Sequence, residues 1–592
     1  MKLFKRLIAT TIAVAITAGT LVACKGSDSA DSETEASKAG EPEETITLEC
    51  YSQLSSFAGV QPGWFGELLK KKFNVEIEIV FEGGTTYKDR LAAGNFGDIV
   101  IWGSDGQMYK DAVASGALLD WETNGLLDNY GKDIKETMNA ALEYNREVSN
   151  GTIYGLGHNV ATTSKDHEPF FYTWDLRYDY YEELGCPDIN TLDDLVAVLE
   201  QIKANHPTDD DGKETYAVSL WPDWDDAMAM YPKAMVTAYY GYDQLGIGHY
   251  NCETGDYYDA LKINDDGTYG PYIEMLKFFN TLYQKGLLDP DSATQEYAEA
   301  TAKILKGHTF WSIFQYAGSE VFNTEENIAA DKAMYSVVPK DASPCVYGLS
   351  VLGGNRIISI GAKTEYPEKC MEIINWMCTP DGYLECQYGP QGLMWYYGND
   401  GLTHFTELGK AAALDSTIEM KSDDEQYADY CGMKFKDGQP MLNYVTRNYF
   451  ATNPKTGEKY CFKYWASETE EPDAGSIEAK WREWADADST DEYIENSVEY
   501  VISLGSSYTE AEKDAGLEAI WKQVTSAIVE GSWKAIMSET DAEFDSNIQS
   551  MIELAKSYSN ENGNGYEQCV EWSKNEAATR KAIEDKIIAL DK

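Results

Sequence analysis

The alternation of two kinds of strand with helices between them constrains this 592-residue chain most. Val75, Ile77, Ile79 and Phe81 alternate mostly with polar partners, the period-two signature of a strand. Asp98 is instead followed by the unbroken apolar run Ile99-Val100-Ile101-Trp102, the pattern of a parallel strand covered on both faces. Upstream, Ile46 to Cys50 reads as a strand and Trp64 to Phe73 as a helix, which makes a strand–helix–strand unit with Val75. Thr191-Leu192-Asp193-Asp194 has the capping-box pattern of a helix start, and Leu192, Leu195, Val196, Leu199 and Ile202 then share one face. Ala217 to Leu220 reads as another apolar strand. Helical patterns cover Tyr272 to Gln284, Pro367 to Met377 and much of the tail after Thr509. No internal repeat is visible. The chain is an α/β protein with extra C-terminal helices, long enough for two or more sizeable cores.

Charge and side-chain chemistry narrow the function classes. The formal net charge of −52 repels nucleic acid and anionic lipid surfaces. Forty-one Tyr, 15 Trp and 18 Phe are a heavy aromatic load, and flat apolar rings pack against the C–H faces of sugars as well as against each other. The 11 cysteines include no C-x-x-C, so zinc ribbons and thioredoxin chemistry have no support. Cys370 and Cys378 fall on an apolar helix as small core residues, with Cys386 at the same spacing; Cys431 and Cys461 are close enough in sequence to pair across a loop or to stay free. There is no G-x-x-x-x-G-K-[ST], no H-E-x-x-H and no G-x-S-x-G, and the six histidines show no ligand spacing.

The N-terminus opens with Lys2, Lys5 and Arg6 and continues into an apolar run, Leu7 to Ala18, too short to span a membrane. It stops at Leu21-Val22-Ala23-Cys24, which resembles the lipobox of bacterial lipoproteins. That resemblance implies cleavage of residues 1–23 as a signal peptide and diacylation of Cys24, a two-chain anchor that holds stably to a membrane. Residues 24–44 read as a flexible acidic stalk, because residues 25–44 contain no aromatic residue and no Leu, Ile, Val or Met to offset ordering entropy.

Several segments, in order, resemble the family 1 extracellular solute-binding proteins of bacterial carbohydrate ABC importers, whose familiar members bind maltodextrin. Gly97-Asp98-Ile99-Val100-Ile101-Trp102-Gly103-Ser104-Asp105 is similar to the family's G-D-I-x-x-W-x-x-D segment, and Gly116-Ala117-Leu118-Leu119 to its SGLL turn. Gly151 to Gly155 resembles the approach to the hinge, and Phe171-Tyr172-Thr173-Trp174-Asp175-Leu176 the YNKDL strand. Lys285-Gly286-Leu287, Lys306 to Trp311, Asn355 to Ile360 and Pro367 to Gly382 follow in family order. The segment Trp174 to Gly185 and the long tail resemble the large Gram-positive oligosaccharide-binding branch.

The resemblance implies a periplasmic-binding-protein-like fold of type 2, two α/β lobes joined by a hinge and closing on a ligand, with a helical C-terminal extension. The expected division is residues 45–160 for lobe 1, 161–346 for lobe 2, 347–392 for a return to lobe 1, and 393–592 for the rest of lobe 2 with the C-terminal helices. Ligands of open parallel sheets bind in loops beyond the strand ends, which places Trp102, Ser104 and Asp105 at the site, with Gln53 and Ser55 in the loop after the first strand. Asp105 aligns with a family carboxylate that accepts sugar hydroxyls, and Trp311 with a tryptophan on which a ring stacks. Either residue can equally serve structure, as a turn aspartate or a core indole. Trp221-Pro222-Asp223-Trp224-Asp225 interleaves flat faces with acceptors; Trp221 reads as core or as ligand platform, whereas Trp224, Asp223 and Asp225 fit a core poorly. Trp174, Arg177, Tyr347 and Trp395 complete the candidate set. The resemblance further implies a monomer that uses no cofactor, binds a sugar or oligosaccharide, meets permease subunits at the outer membrane face and catalyses nothing.

Asp209-Asp210-Asp211-Gly212 resembles part of a calcium loop, but Pro207 stands where the first ligand would, and no Glu is correctly spaced, so it reads as a turn. The competing functions are a surface glycoside hydrolase, whose two carboxylates would sit roughly 5–10 Å apart with Asp223 and Asp225 as first suspects, and a peptide- or metal-binding lipoprotein.

Overall fold

A computed structural model describes residues 44–504, 508 and 510–591. Cys24, the leader and the stalk lie outside them. Residues from Thr45 onward form one compact unit built of two lobes, each with its own apolar core.

Lobe 1 is organised on a six-stranded sheet. Its strands are β1 (Ile46–Ser52), β2 (Gly59–Val60), β3 (Val75–Phe81), β4 (Ile99–Trp102), β5 (Gly155–Gly157) and β13 (Ile357–Ile360), in the order β2-β3-β1-β4-β13-β5. β1 pairs parallel with β3 and β4, while β13 runs antiparallel between β4 and β5. All four residues of β4 are buried, and they divide between two cores. Ile99 and Ile101 join Leu48, Ile77 and the helix Gly63–Phe73 on one face; Val100 and Trp102 join Tyr51, Phe96 and Tyr109 on the other. The unbroken apolar run therefore reflects two covered faces.

Lobe 2 carries a smaller antiparallel sheet, β10 (Trp311–Phe314), β6 (Tyr172–Arg177) and β11 (Met334–Ser336) in that order. The segment Ala217–Leu220, expected as a strand, makes only an isolated bridge, Val218 to Leu288, and touches the sheet where Trp311 N–H donates to Ala217 O at 2.8 Å. Helices Leu192–Asn205, Met230–Tyr240 and Pro271–Gln284 enclose this sheet, and Thr191 and Asp194 form the capping box the sequence announces. A small sheet of β7 (Tyr242–Leu245), β8 (Gly248–Asn251) and β9 (Tyr257–Asp259) sits beside them. The tail forms the helices Ala515–Ile536, Asp541–Ser557 and Gly565–Leu590.

One expected boundary is corrected. Residues 393–465 do not join lobe 2: Leu393, Met394, Trp395, Phe405, Phe435, Tyr444 and Trp465 are buried in the lobe 1 core. This stretch holds only short pieces, such as the hairpin β14 (Trp395–Tyr397) and β15 (Thr403–Phe405), so its place is decided by aromatic contacts distant in sequence. Trp64 Nε1–H donates to Phe435 O at 2.9 Å, and the two rings stack with centroids 5.2 Å apart. All ten cysteines of the described residues are free thiols. Among the described residues no helix is long and apolar enough to cross a membrane.

Candidate functional site

Two of the segments in which the chain crosses between lobes lie side by side. Ala161 N–H donates to Ser350 O at 3.0 Å, Leu349 N–H to Asp166 O at 2.8 Å, and Glu168 N–H to Tyr347 O at 2.8 Å. The second segment is the end of β12 (Cys345–Tyr347), which pairs with β16 (Val501–Ser503). Asp166 locks the first: one carboxylate oxygen accepts the N–H groups of Thr162 and Thr163 at 2.9 and 3.0 Å, and the other accepts Thr452 Oγ1–H at 2.6 Å. Two antiparallel linkers held side by side between the lobes make a hinge.

On the lobe 2 side of this hinge lies an open cavity of about 450 Å³, lined chiefly by Phe171, Tyr172, Trp224, Met230, Phe314 and Tyr316. β6 and β10 bring Tyr172 opposite Phe314. Trp224 and Phe171 are 44% and 42% exposed, unusual for residues this apolar. Trp224 lies nearly parallel to Tyr297, with centroids 4.5 Å apart, and Phe171 rests on Tyr316 at 5.4 Å. Trp221 supports the floor from beneath, edge-on to Trp224 at 5.6 Å and to Tyr297 at 5.1 Å. The one cation in the lining, Lys233, is paired with Asp226 Oδ1 at 2.8 Å.

At the hinge itself a polar cavity of about 380 Å³ is lined by Tyr144, His158, Asn159, Glu168, Asn355 and Asn448, with glycine-rich backbone from 348 to 354. His158 Nδ1 accepts Arg356 N–H at 3.2 Å, which in the neutral ring leaves the proton on Nε2. Burial, and secondarily Arg356, pulls the imidazole below its ordinary range. The ring crowds Gly354, where a Cβ would fall 2.2 Å from its Cε1. Burial pushes the Glu168 carboxyl above the usual carboxylate range. From lobe 1 the phenol of Tyr144 reaches Asp105 in the loop after β4. The two cavities meet along the chain at 168–172, where Glu168 belongs to one and Phe171 and Tyr172 to the other, with Tyr172 against Tyr347.

The residues singled out in the sequence separate into groups. Trp224 lines the aromatic floor, and Asp105 and Tyr347 stand one contact behind the cavities. Gln53 and Ser104 shape the β4 loop: Gly103 N–H donates to Gln53 Oε1 at 2.9 Å, and Gly106 N–H to Ser104 Oγ at 3.2 Å. Ser55 is spent on Met441 O at 2.7 Å. Five expected ligand indoles are instead core: Trp102, Trp174, Trp221, Trp311 and Trp395 are all essentially buried. Trp174 and Trp311 face each other at 6.1 Å inside lobe 2, filling space that a three-stranded sheet leaves open, and Trp395 Nε1–H donates to Gly389 O at 2.9 Å. Trp174 adopts φ +54°, rare for a bulky residue, opposite an irregularity in β10 after Ser312. Arg177 is also removed from the cleft. It ends β6 about 17 Å from Tyr172, ion-paired with Asp179 and stacked over Tyr180 at 3.8 Å. Asp223 and Asp225 accept N–H groups at the starts of helices distant or downstream in sequence. Asp223 accepts Tyr297 N–H at 3.2 Å; Asp225 accepts Met230 N–H and Trp533 Nε1–H, both at 2.7 Å, and burial pushes its pKa up to about 6.

Sequence reasoning passed over Tyr144, His158, Asn159, Glu168, Asn355, Asn448 and Tyr316 as ligand candidates. The available signal was polar residues beside glycines, Gly157-His158-Asn159 and Gly353-Gly354-Asn355, but it is split between segments some 200 residues apart.

In the acidic turn, Asp209, Asp211 and His308 bring ligand atoms within 4.8 Å of one another, a set able to hold a divalent cation. The protein itself satisfies part of the turn, while Asp209 Oδ2 and His308 Nε2 are buried without a hydrogen-bond partner. Asp209 Oδ1 accepts the N–H groups of Asp211 and Lys213 at 2.9 and 2.8 Å, His308 Nε2 lies 2.5 Å from Oδ2, and Asp210 pairs with Lys332.

Residues 66–394, more than half of the chain, match the family model described as bacterial extracellular solute-binding protein. Among curated proteins, Lipoprotein LipO of Bacillus subtilis (strain 168) is 24% identical over 243 residues, 40% of this chain and 44% of that protein. The chain thus spans less than half the length of that relative. Among solved structures, the N-glycan transport solute binding protein NgtS from Streptococcus pneumoniae aligns over 90% of this chain and 99% of its own, at 14% identity and TM-score 0.42. An extracellular solute-binding protein from Bifidobacterium longum subsp. infantis aligns over 90% and 98%, at 12% identity and TM-score 0.45.

Proposed function

Because the chain belongs to the bacterial extracellular solute-binding proteins, we propose that it captures an oligosaccharide beside its hinge and hands it to the permease of an ABC importer. The observation that carries this reading is the pairing of an exposed aromatic floor in lobe 2 with a polar hinge cavity. A sugar ring has flat C–H faces and a rim of hydroxyls, so it needs stacking area and hydrogen-bond partners from different directions. Phe171, Trp224 and Tyr316 offer the first; His158, Glu168, Asn159, Asn355 and Asn448 offer the second. Contact with both lobes favours the closed state, because only there are all interactions made.

The protein acts as a binder without chemistry. The two acids first suspected of hydrolysis, Asp223 and Asp225, already accept backbone and indole donors. It works as a monomer on the outer face of the membrane, tethered by lipid on Cys24. The lipobox-like Leu21-Val22-Ala23-Cys24 and the lipoprotein naming of the LipO relative support the anchor.

Thermal unfolding of residues 25–592 with a panel of neutral and acidic oligosaccharides tests the reading. A ligand at a hundredfold its Kd should add about 2.7 kcal/mol to apparent stability. Stabilisation by one sugar class without new reducing ends is the expected outcome. Released reducing ends would make it an enzyme, and no shift anywhere in the panel would move the weight to peptides or another solute. For the anchor, Cys24→Ala should shed the full-length protein from cells into the medium; retention on the membrane would refute it.

A further inference from the structure

The terminal helix Gly565–Leu590 belongs to both lobes. Its first five turns are fastened to lobe 2. Tyr566 O–H donates to Asp259, Ser573 Oγ accepts Ile247 N–H at 3.2 Å, and Tyr250 O–H donates to Glu584. Arg580 donates to Asp243 at 2.9 Å, Ser503 Oγ at 2.6 Å and Glu584 at 2.9 Å, with Arg580 and Glu584 almost fully buried. The last turn enters lobe 1 instead. Ile587 is buried in the lobe 1 core, Ile583 and Leu590 pack against it, and Ser164 N–H at the hinge donates to Asp591 at 2.8 Å. Lys586 pairs with Glu147 and holds its ammonium 5.2 Å above the ring of Tyr144.

Tyr144 lines the hinge cavity and meets Asp105. A rigid rod fastened at both ends opposes rotation about the hinge, so any change of lobe angle must release one end. A buried, multiply bonded arginine is costly to uncouple, whereas the Lys586–Glu147 pair is partly solvated, with side chains 31% and 65% exposed, and such pairs are weak. The polar contacts of the lobe 1 end are therefore the weaker ones, and what its release must break is the apolar seat of Ile587.

We propose that the last turn of this helix, Lys586–Leu590, is a releasable strut between the lobes, and that its Lys586 positions Tyr144 for ligand in the hinge cavity. The part that concerns ligand rests on the oligosaccharide reading; the part that concerns the strut does not.

Two readouts on residues 25–592 separate them. The first is hydrogen exchange without ligand on wild type, Lys586→Met and Lys586→Arg. Lys586→Met should keep the wild-type Tm and speed exchange in 586–591 and in the hinge segments 161–168 and 347–350, with Lys586→Arg restoring protection. Unchanged hinge exchange in Lys586→Met overturns the strut. The second is calorimetric titration of the same proteins and Tyr144→Phe with cellotetraose, mannotetraose and xylotetraose as probes. With whichever probe wild type binds, Tyr144→Phe and Lys586→Met should each weaken binding by about tenfold, the scale of one hydrogen bond, and Lys586→Arg should restore it. Unchanged affinity in Lys586→Met overturns the positioning role. Binding of none of the probes by wild type would count against the sugar reading and leave the exchange result to decide the strut.

Discussion

The two lobes use their aromatic residues differently. Lobe 1 has a six-stranded sheet covered on both faces, and its large rings, Trp64, Trp102, Trp121 and Trp395, are sunk in its cores or in the packing around them. It meets the cleft with polar groups: Tyr144, His158, Asn159, Asn448 and, behind them, Asp105. Lobe 2 has only three strands in its main sheet, fills the space around them with Trp174, Trp221 and Trp311, and still leaves Phe171 and Trp224 in solvent. Exposure of large apolar rings costs hydrophobic free energy, so a lobe that tolerates it beside a hinge marks that face as a surface awaiting a partner. Residue type alone does not tell these uses apart.

The comparison can be broken in four places. The largest effect is expected at Trp221, core by burial but support for the exposed floor. Trp221→Ala should cost about 3–5 kcal/mol in urea unfolding and also abolish ligand binding; loss of binding without loss of stability would place Trp221 in the cleft. Next is the acid buried in β6. Asp175 is 1% exposed, and desolvation, partly offset by the Ser319 N–H it accepts, pushes its pKa up to about 6 from 3.8. The folded form holds the proton more tightly than the unfolded one. Its stabilising effect is therefore present below about pH 4 and is lost as pH rises through 6, by about 3 kcal/mol. Asp175→Asn should flatten the stability of lobe 2 between pH 4 and 6.5 relative to wild type; parallel curves would mean the carboxyl is hydrated.

Smaller effects belong to the cleft. Trp224→Ala should weaken ligand by about 1–3 kcal/mol, the scale of a buried large side chain, with folding stability changed by less than about 1 kcal/mol. A large folding loss would make Trp224 one more core indole. Asn355→Ala, on the polar side, should cost about 1 kcal/mol of binding; unchanged calorimetric affinity would remove the hinge cavity from the ligand's path.

How far the amino-acid order foretold this arrangement follows from the range of the forces involved. The strands Val75–Phe81 and Ile99–Trp102 and the Thr191 capping box are visible because period, burial and capping are local. The seat of residues 393–465 is not, since it depends on Phe435 meeting Trp64 and Trp465 entering a core begun at Leu48. At the site, Trp224 and Trp311 have identical chemistry. One is exposed because Tyr297 and Tyr316 lift it, and the other is buried because β6 and the helix Pro271–Gln284 close over it, facts held by distant neighbours. Asp223 and Asp225 looked like ligand acceptors for want of the one fact that mattered, that helix N-termini lie above them.

The long-range seat of residues 393–465 also sets a schedule. The first lobe begins at the strand that leaves the ribosome earliest, yet its core lacks Phe435, Trp465 and finally Ile587 until almost the whole chain has been made. Lobe 2 has its sheet wholly between Tyr172 and Ser336, although its core also takes in residues from Ile477 to Cys569. At 5–20 residues per second, β1 and β4 wait roughly 15–60 s for the aromatic segment that caps them. The part of the molecule synthesised first is thus the part completed last, and through that interval its apolar strands depend on whatever shields a nascent chain.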